Sequence, residues 1–327
     1  MSIGGTEALE ASESGGALQF LDFGGEIAAR SPSQLFWRRL RRDRVAIASA
    51  GFIVFLIVLA IAAPLVIKIL GLPGPNVQNL NLTDEFGSPL GPTGSHPFGV
   101  DQLGQDVMSR VIYGTRVSLE VGIIGTAIST LIGVVVGLLA GFYRGWVDTV
   151  LSRAVDVVLS IPLLLLGIGI GAACGVRGCL SGAIQPGLGV IIFLIAFATW
   201  PYMMRIVRGL VLSLREREFI DASRALGASD LRIMFREILP NLTAPIIVFA
   251  SLQIPTNILI EAALSFLGVG IRPPTASWGQ MIASATPIFA TAWWYMVFPG
   301  AALLLTVLAF NLLGDGLRDA LNPRSAR

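Results

Sequence analysis

The sequence predicts an all-α polytopic membrane protein, and three observations support this. Of the 327 residues, 54% are hydrophobic and only 13% are charged, and the mean hydropathy is +0.75. One or two soluble domains do not bury that much apolar surface. Six apolar runs are long enough to cross roughly 30 Å of hydrocarbon as helices, and none shows the period-two alternation of a barrel strand. They cover approximately residues 45–70, 117–142, 154–176, 187–212, 242–268 and 290–313.

Composition and motifs argue against several other classes. The hydrophobicity is too high for a disordered chain, and a net charge of +2 lacks the basic excess of a nucleic-acid-binding protein. A phosphate-binding P-loop needs Lys followed by Ser or Thr, but the only lysine, Lys68, precedes Ile69. His96 is the only histidine, and we interpret it as an ordinary loop residue. The chain therefore cannot hydrolyse ATP through a P-loop, and any His-based metal or catalytic site would have to be built around one residue.

The spans and the composition between them divide the chain. Residues 1–29 carry five acidic residues and no basic one, with many Gly and Ser, which predicts a flexible tail. Two connecting segments are too long and too patterned for simple turns. The predicted units are a flexible cytoplasmic tail at 1–30, a basic segment with the first span at 31–70, an extracytoplasmic segment at 71–116, a transmembrane domain at 117–313 with a cytoplasmic loop at 213–241, and a cytoplasmic C-terminus at 314–327.

The distribution of basic residues predicts the orientation. With the N-terminus inside the cell, cytoplasmic segments hold 18 of the 23 Lys and Arg residues and the outer segments hold five. Cytoplasmic loops carry an excess of Lys and Arg in membrane proteins. We therefore predict that both termini are cytoplasmic.

The 213–241 loop has the pattern of two short amphipathic helices. Small and apolar residues recur at helical spacing in its first half: Phe219, Ala222, Ser223 and Leu226. Gly227 can supply the left-handed residue that ends a helix, so the pattern predicts a glycine hinge between two helices. A second stripe precedes Pro240: Leu231, Met234, Phe235 and Ile238. An isolated hairpin of this size cannot bury both stripes, so we expect a partner to receive them.

This loop resembles a known coupling element. The run from Glu218 to Gly227, with Ile238-Leu239-Pro240 after it, is similar to the EAA loop of ABC importer permeases, which docks into a groove on the cytoplasmic ATPase subunit. It departs from that pattern in having Asp-Ala-Ser for Glu-Ala-Ala, and in Glu237. The resemblance implies a set of ATPase-coupling residues: Glu218, Phe219, Asp221, Ala222, Ser223, Leu226, Gly227, Met234, Phe235, Leu239 and Pro240.

Other segments extend the resemblance over nearly everything from Leu35 onward. The run from His96 to Asp101 resembles the segment before the second span in the dipeptide/oligopeptide/nickel permease family, and Leu264 to Gly268 resembles the C-type subunit of these importers. One departure is Gln105, where the family usually has Arg. At that position we expect an external charge contact to be missing.

The resemblance implies a type I ABC importer transmembrane domain in a prokaryotic inner membrane. It also implies a non-catalytic permease subunit that binds no cofactor or metal ion itself. It implies four kinds of partner: a homologous second permease, two ATPase subunits that use ATP and Mg, an extracytoplasmic solute-binding protein and the lipid bilayer. We favour di- or oligopeptides over a nickel complex as substrate, because the predicted spans have no His or Met clusters. The alternatives are a stand-alone secondary transporter or channel, whose hairpin would lie on the membrane surface, and a scaffold without transport.

Several residues keep two interpretations. Glu261 lies inside the fifth span, where an ionisable group either faces a pathway or ties helices together. Asp156 is expected to be structural. Gly133, Gly137 and Gly141 share one helix face, which packs either within the chain or against a second permease. Cys174 and Cys179 form a candidate disulfide, with two free thiols as the alternative.

Overall fold

The computed structural model describes residues 32–84, 87–174, 178 and 184–321, and within these ranges it contains no strand. The predicted tail at 1–30 lies outside them. The helices are α1 (Pro32–Leu40), α2 (Arg44–Ile69), α3 (Val107–Tyr143), α4 (Gly145–Ser160), α5 (Leu163–Cys174), α6 (Leu188–Leu214), α7 (Glu218–Ala225), α8 (Asp230–Arg232), α9 (Leu239–Phe266), α10 (Trp278–Ala285) and α11 (Trp294–Leu321). A π-helical segment, Ile233–Ile238, joins α8 to α9. The all-α prediction is confirmed.

Five helices are long and apolar enough to cross a membrane: α2, α3, α6, the continuous helix 230–266, and α11. The pair α4 and α5 would make a sixth span, but it is bent by 81°. The third span predicted at 154–176 therefore corresponds to two helices joined at a bend, and not to one continuous helix. Ile161 is extended (φ −86°, ψ 120°), because Pro162 disfavours a helical conformation in the residue before it.

Helix α3 begins well before the predicted start of its span at residue 117. Asp106 caps it: one carboxylate oxygen accepts the backbone N–H of Ser109 at 2.7 Å. The other oxygen lies 2.8 Å from Nδ1 of His96. Asp106 is fully buried. His96 thus joins its loop to the start of α3, which fits its interpretation as a structural loop residue.

The missing external charge contact expected at Gln105 stays a prediction, and the Gln105 side chain is buried. Its carbonyl oxygen accepts a hydrogen bond from Nη1 of Arg110 at 2.5 Å. Arg110, also buried, donates to the backbone oxygen of Pro75 at 3.1 Å and lies 3.6 Å from Asp101. The polar residues before the apolar part of α3 therefore form an internal cluster.

Three glycines on α3 bring it against α6, which runs parallel to it. A Cβ added at Gly133, Gly137 or Gly141 would lie only 2.6 to 2.8 Å from the Cβ atom of the facing α6 residue. The facing residues are Met203, Val207 and Val211. Small residues allow helix backbones to approach closely in this way. The face is used within the chain, so the alternative of a seam with a second permease is wrong for these residues.

Two ion pairs hold α4 against α6. The Asp148 carboxylate accepts two bonds from the Arg208 guanidinium, one through Nε and one through Nη2. Asp156 accepts a bond from Nη2 of Arg205 at 2.7 Å and lies 3.6 Å from Arg153. These contacts agree with the structural interpretation of Asp156.

The bundle has two ends of different character. At one end, hereafter the loop end, residues 71–84 and 87–106 pack on the helices: Nε1 of Trp294 donates to the Val100 carbonyl at 3.1 Å. The ring of Phe98 also stacks on that of Phe298, with 3.9 Å between centroids. The other end, hereafter the hairpin end, carries residues 213–241 between α6 and α9.

Candidate functional site

The hairpin, residues 213–241, is anchored to the bundle by apolar side chains. Ile220 comes from α7, and Ile233, Met234 and Ile238 come from the π-helical segment; all four are almost completely buried. They belong to one hydrophobic cluster with the last turns of α3 and α6, represented by Leu138, Phe142, Val207 and Val211. Burying a large aliphatic side chain contributes roughly 1.5–3 kcal/mol, so this cluster fixes the position of the hairpin.

A tight turn separates the two arms of the hairpin. The backbone N–H of Gly227 bonds to the carbonyl of Arg224 at 2.9 Å, and that of Ala228 bonds to Ser223 at 3.1 Å. This pair of bonds is the Schellman motif that ends a helix. Gly227 has φ +77°, a conformation that favours glycine, and the space around its Cα is open. The predicted glycine hinge between two helices is confirmed.

Large apolar side chains remain on the outside of the anchored hairpin. We call Phe219, Leu226, Leu231 and Phe235 its apolar face; they are 40%, 88%, 63% and 51% exposed. Loops and short helices at a bundle end normally present polar side chains, so a row of exposed aliphatic and aromatic residues is typical of a protein interaction surface. The arrangement can seat in an apolar groove on a partner.

Charged contacts fasten the first arm of the hairpin to the end of α3. The Arg215 guanidinium donates to the Phe142 carbonyl and lies 6.0 Å from the Phe142 ring centroid. The Arg224 guanidinium lies 5.8 Å from the same centroid. Partial burial and the nearby charges of Arg144 and Arg224 lower the pKa of Arg215, which remains charged at neutral pH.

The structure distributes the sequence-predicted coupling residues over three environments. Most are exposed: Glu218, Phe219, Asp221, Ala222, Leu226, Gly227, Phe235 and Pro240. Ser223 and Leu239 are half-buried. Met234, expected in the stripe offered to a partner, is 1% exposed and packs inside the bundle, so that expectation is wrong for this residue. The coupling role of the remaining residues stays a prediction.

Sequence reasoning missed two anchors of the hairpin. Ile220 and Ile233 are completely buried, but the periodic stripes pointed to Phe219 and Leu231 instead. The sequence feature that could have revealed an anchor is the pair of adjacent apolar residues at 219–220. Adjacent side chains on a helix point in different directions, so one of the two can pack against the bundle while the other stays exposed. A hairpin on a bundle needs both an inner and an outer apolar face.

Glu261 is a residue of α9 whose side chain contacts α3 and has no exposed surface. Its carboxylate accepts hydrogen bonds from Oγ of Ser265 at 2.7 Å and Oγ of Ser118 at 3.3 Å. Ser265 in turn accepts the backbone N–H of Ile271 at 2.9 Å. These contacts tie two helices and a loop together, which supports the helix-packing interpretation. The pathway role of Glu261 stays a prediction.

The candidate disulfide also stays a prediction. Cys174 is the last residue of α5, and Cys179 lies outside the described residues.

Comparison with known families assigns the chain. The family described as "Binding-protein-dependent transport system inner membrane component" matches residues 133–327, which include the hairpin. A second family, described as "N-terminal TM domain of oligopeptide transport permease C", matches residues 31–84. Together they cover the first span and most of the bundle.

Curated relatives match almost the whole chain. The glutathione transport system permease protein GsiD of Escherichia coli is 42% identical over 295 residues, covering 90% of this chain and 91% of the relative. GsiD of Pectobacterium atrosepticum is 39% identical over 297 residues, covering 91% and 93%.

A solved structure shares the fold. It is described as inward-facing conformations of the MetNI methionine ABC transporter, and one of its chains has a TM-score of 0.55 at 22% identity, covering 66% of this chain and 97% of that chain. A stand-alone secondary transporter or channel is not favoured by any of these matches. The chain belongs to the family of inner membrane components of binding-protein-dependent transport systems, as a permease subunit of an ABC importer.

Proposed function

We propose that this chain forms half of the membrane pathway of an ATP-driven importer of short peptides. The other half comes from a homologous permease, and two ATPase subunits supply the energy. The observation that supports this assignment best is the apolar face of the hairpin, anchored on the bundle and exposed at its end.

The hairpin offers an ATPase both a binding surface and a stiff connection. Phe219, Leu226 and Phe235 provide knobs for an apolar groove, while Ile220 and Ile233 hold the hairpin from the inside. The second arm runs without interruption from Asp230 to Phe266, so displacing the hairpin tilts the whole helix. ATP-driven closure of the ATPases would move the two hairpins of the complex together. The hairpin thus acts as a lever and has no catalytic role.

We place the hairpin end in the cytoplasm of a prokaryotic cell, with both termini on that side. The predicted excess of basic residues there supports this orientation. The loop end would then face outward and receive the solute-binding protein, with residues 71–106 as part of the docking surface. His96, Asp106 and Arg110 make this segment a fixed part of the bundle.

We propose short peptides as the substrate class. Relatives that match about nine-tenths of this chain are described as glutathione transport permeases, and glutathione is a tripeptide. A nickel complex is the second candidate from the sequence. Its uptake would have to proceed through the same pathway.

Reconstitution tests this function. The complete complex in proteoliposomes should accumulate radiolabelled glutathione or a dipeptide when loaded binding protein is outside and ATP is inside. We expect no accumulation with a non-hydrolysable ATP analogue or with an ion gradient alone. Uptake driven by an ion gradient without ATP would instead assign a secondary transporter. Uptake of a nickel chelate with no peptide uptake would reject the substrate class.

A further inference from the structure

A cavity of about 320 Å³ lies at the break between α4 and α5. Its wall is made by the break, around Ile161 and Pro162, and by the middle parts of α6 and α9. Non-helical backbone at membrane depth is tolerated only where it is buried in protein or lines a cavity with water. The bend of 81° therefore marks a place where the bundle opens around polar groups.

Three polar side chains in the middle of the spans face this cavity. Tyr202 of α6 and Gln253 and Thr256 of α9 are among its lining residues. Tyr202 is 54% exposed. The amide nitrogen of Gln253 donates to Oδ1 of Asn257 at 3.3 Å, and Asn257 donates to Thr126 of α3 at 2.8 Å, so Gln253 is held in position by a second polar layer.

The remaining lining residues contribute no charge. They are Val158, Leu159, Ile161, Pro162, Leu163, Leu166, Ala198, Thr199 and Ile260. Thr199 is 2% exposed, and its hydroxyl donates to the Ile195 carbonyl at 2.8 Å. The Thr256 hydroxyl donates to the Leu252 carbonyl at 3.3 Å, but Thr256 is exposed and its oxygen can still accept a hydrogen bond. An apolar cavity of about 300–1,000 Å³ with a few convergent polar groups is typical of a small-molecule site.

We infer that this cavity is the transit site for peptide on this half of the pathway, and that it recognises the backbone amides of the substrate through Tyr202, Gln253 and Thr256. The inference rests on the proposed function. A hydroxyl group and a carboxamide can each donate to a peptide carbonyl and accept from a peptide N–H. Because the cavity wall has no ionised side chain, it has no fixed charge with which to select among peptide side chains.

This chemistry suits transit better than tight storage. A charged partner in a site of low dielectric would bind a peptide terminus strongly and release it slowly, whereas neutral hydrogen bonds each contribute roughly 0.5–1.5 kcal/mol. The buried carboxylate of Glu261, farther along α9, is held by Ser118 and Ser265 and is not among the lining residues.

The first test removes hydroxyl groups without changing shape. The double variant Tyr202→Phe, Thr256→Val in the complete reconstituted transporter should take up peptide about tenfold more slowly at saturating loaded binding protein, as expected for two lost hydrogen bonds. Its ATPase rate with loaded binding protein should match the wild type, because the hairpin is untouched. Tyr113→Phe, a hydroxyl removal on α3 outside the cavity, is the matched control and should transport normally.

The second test locates the peptide directly. A photoreactive peptide that the wild-type transporter takes up is irradiated during ATP turnover, and the labelled residues are identified by mass spectrometry. We expect labels on the cavity wall of α5, α6 and α9, and we expect excess unlabelled peptide to prevent them. Labels on this chain that avoid the cavity would overturn the proposal.

The outcomes distinguish a failure of the proposed function from a failure of the transit site. Wild-type proteoliposomes without ATP-dependent peptide uptake would reject the proposed function, and this inference with it. Wild-type uptake that the double variant matches would reject the transit site alone. A double variant that loses both uptake and stimulated ATP hydrolysis would show damage to the assembly and would also count against the site.

Discussion

Glu216 of the hairpin forms an ion pair with Arg144, the residue that joins α3 to α4, at a distance of 2.6 Å. Arg144 holds φ +55°, a conformation that favours glycine. The hairpin is therefore connected to the start of α4 by a side chain that sits on a strained backbone. Movement of the hairpin can reach the broken helix pair through this contact as well as through α9.

Two replacements of Arg144 distinguish the effect of the ion pair from the effect of the backbone strain. Arg144→Gly relieves backbone strain of about 1–3 kcal/mol and removes the ion pair, so we expect a melting temperature equal to or above the wild type. Peptide uptake per ATP hydrolysed should fall. Arg144→Ala keeps the strain and should show the same transport defect without the gain in melting temperature. Unchanged transport in both variants would show that the pair has no part in coupling.

The conformation of Gly227 gives a graded prediction. Valine disfavours φ +77° strongly, so Gly227→Val should displace the apolar face and uncouple ATP hydrolysis from uptake. Gly227→Asn should keep most uptake, because Asn tolerates the left-handed region better than other residues. Uptake and ATP hydrolysis are measured together in proteoliposomes. Equal uptake by the Val variant and the wild type would contradict the lever.

Glycine packing between α3 and α6 predicts a stability effect. A Cβ at residue 137 would lie 2.8 Å from Val207 Cβ and 2.9 Å from the Met204 carbonyl oxygen, so Gly137→Ala must push the helices apart. Overpacking of this kind costs about 1–3 kcal/mol. Gly51→Ala on α2, where a Cβ meets no atom within 4 Å, is the control and should not lower the free energy of unfolding. Unfolding in sodium dodecyl sulfate measures both; equal stability would contradict the packing.

The two ion pairs between α4 and α6 should differ in strength. The Asp148 side chain is 18% exposed and receives two bonds from Arg208, so Asp148→Asn should cost about 1–3 kcal/mol of stability. Asp156 is 47% exposed, and Asp156→Asn should cost less than about 1 kcal/mol. Thermal melting in detergent ranks the two variants. The reverse order would show that exposure does not control these pairs.

Hydropathy and helix signals predicted most of the fold but not its geometry. The spans, the glycine hinge at Gly227 and the helical pattern of the hairpin follow from local rules of length, periodicity and capping. Hydropathy did not predict the start of α3, because Ser109 and Arg110 are polar although both are buried. Ser109 donates to the Pro73 carbonyl and Arg110 to the Pro75 carbonyl. The angle of 81° between α4 and α5 depends on tertiary packing, which hydropathy does not encode.

The sequence also did not predict how the hairpin helices are rotated about their own axes, which decides the side of each helix that faces the bundle. Phe219 and Ile220 are both apolar, and only the position of the α3 and α6 ends decides which side chain lies inside. The same holds for Gly133, Gly137 and Gly141, whose partner helix is defined by the bundle and not by their spacing. Periodicity in the sequence predicts that a helix has an apolar or small-residue face, whereas the tertiary structure determines which element packs on that face.

The most direct test of the docking role of the hairpin is purification of the tagged chain from its own host in mild detergent, with mass spectrometry of the polypeptides that accompany it. We expect a second permease and P-loop ATPase subunits with the wild type. Leu226→Asp, Phe235→Asp should retain the permease and lose the ATPases, whereas Val77→Asp, an exposed apolar residue on the loop end, should lose neither. A wild-type chain that purifies alone, or a double variant that keeps its ATPases, would contradict the assignment of the hairpin as the docking surface.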